Sequence, residues 1–282
     1  MSVERISTRD GLSLAVEHRE VASARARLVL VHGYAEHRGR YRALLDQLTA
    51  GGVACHLFDL RGHGESDGPR GHVDRFDDYL DDLQRVIGTV PAGNTPLLLL
   101  AHSLGSLIAL SYVRKHPHAF DGIAVSSPFL GPAFAVPAAR LMLARVASVI
   151  APTLRFDSGL SPEWVSRDPD IVAAYAADPH VFSTTTPRWF VEVSAAQREL
   201  IEHANEITTP ALFLVAGSDR IADHRIAHQL FARLGTPESD KELHAYPDLY
   251  HEVFNEIAEG RAEVIRHLLS WIDSRVARRS AG

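Results

Sequence analysis

The 282-residue chain has room for one large α/β domain with an insertion, or for two small domains. Hydrophobic residues make up 46% and charged residues 23%, the balance of an ordinary globular protein, and a net charge of −6 gives nucleic acid no electrostatic reason to bind. A single cysteine, Cys55, excludes an internal disulfide and fits a reducing compartment.

No stretch approaches the ~20 apolar residues of a membrane span, and Met1 to Arg5 carries no apolar signal-peptide core. The expectation is a cytoplasmic protein that touches membranes only at their surface. Cys55 lies in an apolar run and reads as a small buried hydrophobe. Arg275, Arg278 and Arg279 read as a frayed, solvated C-terminus.

In chain order, two alternating runs around Arg9-Asp10-Gly11 predict a β-hairpin. Strand and helix then alternate. Leu28 to Val31 is a continuous apolar strand of the kind buried on both sides of a parallel sheet. Tyr41 to Leu48 has helical spacing and stops at Gly51-Gly52; Ala54 to Leu60 is a strand, and Phe76 to Val90 a helix with acidic first turns. Leu97 to Leu100 is a third buried strand, followed at once by a helix over Leu104 to Lys115, and Ile123 to Val125 is a fourth strand.

From Pro128 to Thr186 the alternation breaks, with many prolines, no strand pattern and an apolar run from Val136 to Ile150. It resumes with a helix near Ala195 to Ala204, the strand Ala211 to Val215, a helix over His224 to Leu234, a last strand before His251 and a closing helix from Ala262 to Val276. The pattern predicts a mostly parallel, doubly wound sheet over residues 1–127 and 187–282. Residues 128–186 are expected to form a cap above the carboxyl ends of the strands, where open α/β sheets bind ligands.

Ala101-His102-Ser103-Leu104-Gly105 runs from an apolar strand straight into a helix. A nucleophile elbow needs this context, because a sharp strand-to-helix turn leaves the serine hydroxyl exposed, and small residues two before and two after let the backbone turn. A serine hydroxyl needs a base to take its proton. Of sixteen histidines, His251 follows the last predicted strand, where this kind of site keeps its base; the rival His244 lies within that strand, where its side chain would point into a packed face. The base needs a carboxylate partner. Asp219 sits in the loop after Ala211 to Val215, whereas Asp223 begins the next helix, where capping is an aspartate's ordinary role. Two backbone N–H groups, of Tyr34 in the loop after the first parallel strand and of Leu104 after the serine, are the expected oxyanion donors.

Two other patterns fail. Gly62-His63-Gly64-Glu65-Ser66-Asp67-Gly68 has its third glycine one position late for a dinucleotide loop. His224 and His228 have Arg225 where a zinc protease needs glutamate. No metal or cofactor is expected.

With these residues in place, the chain resembles the monoacylglycerol lipase and lysophospholipase branch of the α/β-hydrolases. The likeness rests on His32-Gly33-Tyr34-Ala35-Glu36-His37 with Arg40-Tyr41, on Asp59 to Ser66, and on the elbow. It extends through Ser166-Arg167-Asp168-Pro169, Asp178-Pro179 and Tyr250 to Glu256. It implies the α/β-hydrolase fold, a serine hydrolase using Ser103, Asp219 and His251, and oxyanion donors at Tyr34 and Leu104. Ala35 stands where the family commonly has glycine, and Tyr34 is bulkier than the residue usual there.

The expected substrate is a single-chain lipid ester; a lysophospholipase, a general esterase or a thioesterase could use the same residues. A non-catalytic relative would lack a triad member, and an aspartate-nucleophile hydrolase of this fold would lack Ser103. On the cap, Val136 to Ile150 predicts an apolar helix with Pro137 in its first turn. Met142 and Val146 are expected to meet an acyl chain, with Arg140 and Arg145 facing anionic headgroups. Packing of this helix on the main domain or on a second subunit is the alternative.

Overall fold

A computed structural model describes residues 3–281, with side chains through 279; Met1, Ser2 and Gly282 of the expected core lie outside the described residues. In chain order, the elements are β1 (Val3–Ser7), β2 (Ser13–Arg19), β3 (Ala26–Val31), α1 (Arg42–Ala50), β4 (Val53–Phe58), α2 (Asp77–Ile87), β5 (Leu97–His102), α3 (Leu104–Lys115) and β6 (Gly122–Ser126). There follow α4 (Ala138–Ile150), β7 (Phe156–Asp157), α5 (Pro169–Ala177), β8 (Thr184–Thr185), α6 (Pro187–Glu202), β9 (Ala211–Ala216), α7 (His224–Arg233), β10 (Lys241–Tyr246) and α8 (Ala258–Ala281).

Eight strands make one sheet in the order β1-β2-β4-β3-β5-β6-β9-β10. β1 and β2 are the expected hairpin, closed by the Thr8 and Leu12 backbones around Gly11, whose φ of +86° suits a residue without Cβ. β2 meets β4 antiparallel, and every pairing from β4 to β10 is parallel. Strands buried on both faces explain the uninterrupted apolar runs: all six residues of β4, all five of β6 and all six of β9 are buried. The core is accordingly split by the sheet, with α2, α3 and α6 over one face and α1 and α8 over the other.

Several expectations are corrected. The helix read near Ala195 to Ala204 begins at Pro187, capped by the Thr186 hydroxyl, which accepts from the Trp189 N–H. Segment 128–186 does contain strand: β7 and β8 pair antiparallel through Phe156 with Thr185 and Asp157 with Thr184. It also holds the unforeseen α5, started by Asp168 as cap and Pro169 at the first helical position. Pro137 caps α4 from outside its first turn. The C-terminal arginines are not a frayed end. Arg275 and Arg278 pair with Asp240, and Arg279 pairs with Asp121, tying α8 to neighbouring loops. Cys55 is fully buried, and burial pushes its thiol up to about 12, which leaves it an inert hydrophobe.

Candidate active site

The turn from β5 into α3 puts Ser103 at φ 52°, ψ −118°, outside the regions an L-residue prefers. The surroundings hold it there. Its N–H donates to the Ser126 carbonyl (3.0 Å), and its own carbonyl accepts from Ser106, Leu107 and Phe129. Gly105 explains the spacing of the motif: a Cβ there would stand 2.3 Å from the Val31 carbonyl oxygen, so α3 can start tight against the end of β3 only with glycine.

Asp219 and His251 come from the loops after β9 and β10, which are neighbouring parallel strands. His251 Nδ1–H donates to Asp219 Oδ2 (2.7 Å), and the Ser103 hydroxyl donates to His251 Nε2 (2.8 Å). The other Asp219 oxygen accepts from the Ile221 and Ala222 N–H groups, which fixes the carboxylate plane. Burial alone would lower the His251 pKa, but the Asp219 charge and hydrogen bond, with Glu252 and Glu36 nearby, raise it above the ordinary imidazole value. His102 packs against His251 with ring centroids 4.7 Å apart; burial and the neighbouring imidazole hold it well below 6.5, so it stays neutral and hydrogen-bonds Ser126.

The rivals lie elsewhere. Asp223 caps α7 through the Arg225 N–H and is paired with the Arg225 side chain. His244 is on β10, as expected, but its side chain is half-exposed and stacks on His267 (3.9 Å, interplanar angle 10°) rather than entering a packed interior.

The loop after β3 passes directly over the serine: a Cβ on Gly33 would stand 3.0 Å from Ser103 Cβ. Neither the Tyr34 nor the Leu104 backbone N–H has an acceptor among the described residues. Glu36, whose part the sequence reading did not identify, shapes this loop. Buried beneath it, Glu36 Oε1 accepts from the Gly33 N–H (2.5 Å) and the Tyr41 hydroxyl (2.7 Å). Burial, aided by the Glu252 charge, raises the Glu36 carboxyl to about 7 against the pull of Arg40. Arg40 in turn donates to Glu252 (2.5 Å) and lies over the Tyr175 ring (4.6 Å). A carboxylate three residues after a His-Gly pair was the available signal, but its partners, Tyr41 and Glu252, become visible only in three dimensions.

Ser103 and His251 open into a cavity of about 820 Å³. Its walls are mostly apolar, from Phe129, Val165, Trp189, Phe190 and Val193, and roofed by Leu141, Leu143, Ala144 and Ala147 of α4, with Glu36, Tyr175 and Glu252 among its polar lining. Met142 and Val146, expected to line this space, do not. They point to solvent and are 62% and 51% exposed, because at 100° per residue they fall on the α4 face opposite Ala144 and Ala147. Arg140 lines the cavity, and Arg145 lies on the exposed side.

Among the described residues one group could hold an ion, His18 of β2, Glu20 just after it and His56 of β4, none of which lines the cavity. The two Nδ1 atoms stand 2.8 Å apart, so one imidazole donates directly to the other. His224 and His228 share a face of α7 with ring centroids 6.4 Å apart.

Residues 22–258 match the sequence profile of the serine aminopeptidase S33 family. A monoacylglycerol lipase of Mycolicibacterium smegmatis is 32% identical over 251 residues, covering 88% of each chain, and a phospholipase of Bacillus subtilis is 31% identical over 81% of this chain and 88% of its own. An abhydrolase domain-containing protein of Dictyostelium discoideum is 31% identical over 255 residues; there the match spans only 26% of the relative. Among solved structures, the monoacylglycerol lipase of Paleococcus ferrophilus superimposes with a TM-score of 0.85 at 31% identity, over 93% of this chain and 99% of that one.

Proposed function

We propose, from the premise that the chain belongs to the serine aminopeptidase S33 family and is a carboxylic ester hydrolase, that its substrates are monoacylglycerols and similar single-chain lipid esters. The observation that carries this is the hydrogen-bonded series Ser103, His251, Asp219 opening into a mostly apolar cavity in whose lining Arg40 gathers Glu36, Glu252 and Tyr175 into a polar cluster.

Ser103 Oγ attacks the ester carbonyl as His251 Nε2 takes its proton, and the oxyanion that forms meets the N–H groups of Tyr34 and Leu104. His251 returns the proton to the leaving glycerol oxygen as the carbon–oxygen bond breaks. Water then attacks the acyl-enzyme with His251 again as base, releasing fatty acid and free serine. Asp219 keeps the imidazole in the tautomer whose Nε2 is open and stabilises its cation.

The apolar walls take one acyl chain, and residues 128–186 act as the cap that roofs it. In that polar cluster, Glu36 and Glu252 offer acceptors to hydroxyls, and Arg40 is already engaged by Glu252. That favours a neutral glycerol head over a phosphate, and so a monoacylglycerol over a lysophospholipid. Met142, Val146, Val149 and Ile150 of α4 are exposed and lie off the cavity; they make this side of α4 the face that rests on a membrane or micelle. No helix among the described residues is long and apolar enough to cross a membrane.

A hydrolysis panel of monoolein, triolein, lysophosphatidylcholine and p-nitrophenyl acetate tests the assignment. Monoolein is expected to give the highest kcat/KM. Triolein cleaved equally fast, or lysophosphatidylcholine preferred, would remove it.

A further inference from the structure

Tyr34 and Ala35, in the loop that passes over Ser103, occupy positions with physical consequences. Ala35 is buried with a φ of 61°, the left-handed region where a Cβ is strained and glycine is not. Such a conformation persists only where the surroundings over-determine it.

Tyr34 supplies those surroundings. Its ring lies against Trp189 of α6 with centroids 4.1 Å apart, and meets His63 and Phe182 edge-on at 5.4 and 5.5 Å. Its hydroxyl donates to the Thr184 carbonyl of β8 (2.8 Å), with the Gly71 carbonyl 3.4 Å away. The junction admits nothing larger: at Gly71, φ +67°, a Cβ would stand 2.5 Å from both the Thr184 oxygen and the Tyr34 hydroxyl. One side chain therefore ties the loop over Ser103 to α6, to the loop after β4, and to the inserted segment.

We propose that Tyr34 is a positioning residue whose ring and hydroxyl pin the oxyanion loop to β8, hold Ala35 in its strained conformation and so keep the Tyr34 N–H aimed at the reacting oxygen. This rests on the reading of that N–H as an oxyanion donor. A tyrosine that served only as cavity wall would act on KM and in proportion to acyl length. A pin acts on the rate of acylation for every ester, because a misplaced donor is missed by long and short substrates alike.

The test compares Tyr34→Phe, Ala35→Gly and the double variant with the unaltered chain, with active sites counted by fluorophosphonate titration. It measures kcat and KM on p-nitrophenyl acetate and monoolein, and the rate at which the fluorophosphonate labels Ser103. Tyr34→Phe should lower kcat about tenfold on both esters with little change in KM, and slow labelling by a similar factor. Ala35→Gly removes the strain that the pin opposes, so the double variant should recover to within about threefold of the unaltered chain.

An unchanged kcat for Tyr34→Phe overturns the inference, as does a loss confined to KM on monoolein, or a double variant no faster than Tyr34→Phe. Failure of the broader reading looks different. The unaltered chain would then hydrolyse neither ester, and the labelling rates of the variants would still decide whether Tyr34 holds the loop.

Discussion

Helices α3 and α4 are similar in length and both mostly apolar, yet ten of the twelve residues of α3 are buried and only Ser148 of the thirteen in α4. α3 lies between the sheet and α2 and α6, and its apolar side chains are satisfied by the core. α4 packs mainly on α6 and leaves Met142, Leu143, Val146, Val149 and Ile150 more than half exposed. Composition alone does not tell a helix buried in the core from one that roofs a cavity; the helix's neighbours do. α3 anchors groups whose positions are over-determined, so damage near its start should be indifferent to the ester used. α4 divides its apolar surface between the cavity and the exterior, so damage on its cavity face should scale with the substrate's own apolar length.

The largest effect belongs to the α3 end. Ser103→Ala should lower hydrolysis of every ester by about 10⁴-fold or more and leave the melting temperature little changed. A tenth of the activity surviving on any substrate would show that another nucleophile acts there. Asp219→Asn should cost on the order of 10⁴-fold in kcat, because an amide donor in place of the Oδ2 acceptor forces the imidazole into the wrong tautomer. Asp223→Asn, at a helix cap, should alter stability by about 1 kcal/mol and kcat hardly at all. The same pairing holds for the histidines: His251→Gln should be nearly inactive and His244→Gln nearly normal, and equal losses would leave the base unassigned.

A smaller, graded effect comes from pH. Neutral His251 is the active form, and Asp219 raises its pKa above 6.5. Activity should therefore climb tenfold per unit below a midpoint that lies higher than an ordinary imidazole's, then level off. In Asp219→Asn the midpoint should fall, since the burial that lowers the pKa remains and the charge that raised it is gone. A midpoint that stays put in the variant would mean that Asp219 is not the group holding the imidazolium.

How far the sequence reached follows the same division. The strands β3 to β6, β9 and β10, the elbow turn and the loops that bring Ser103, His251 and Asp219 together were readable because each rests on local chemistry: apolar runs buried on both faces, a small-residue turn, a loop after a strand. The inserted segment was not, because its elements are set by neighbours. α5 and the start of α6 carried ordinary start marks in Asp168-Pro169 and Thr186-Pro187, yet they lie among prolines that suggest irregular chain. Two-residue strands such as β7 and β8 have no periodicity to read. The outward faces of Met142 and Val146 could not be told from the inward faces of Ala144 and Ala147, since a helix apolar on nearly every side has no polar stripe to set its rotation. Ala35 is the converse case: an alanine plain in the sequence whose left-handed φ is visible only in the fold.

The smallest expected effects separate the two faces of α4. Leu141 and Ala144 face the cavity, so serine at both should lower kcat/KM for monoolein several-fold and spare p-nitrophenyl acetate, each lost methylene contact being worth about 0.8 kcal/mol at most. Met142 and Val149 face outward, so serine at both should leave hydrolysis of dissolved esters unchanged and weaken binding to phospholipid vesicles about tenfold, as measured by co-sedimentation. The result that would erase the distinction is a loss on dissolved monobutyrin in the outward pair, because a short, soluble ester needs neither the membrane nor the outward face. Retained vesicle binding in that pair would instead point to a second protein surface as what covers Met142 and Val149, and the oligomeric state of the chain at high concentration would then tell which.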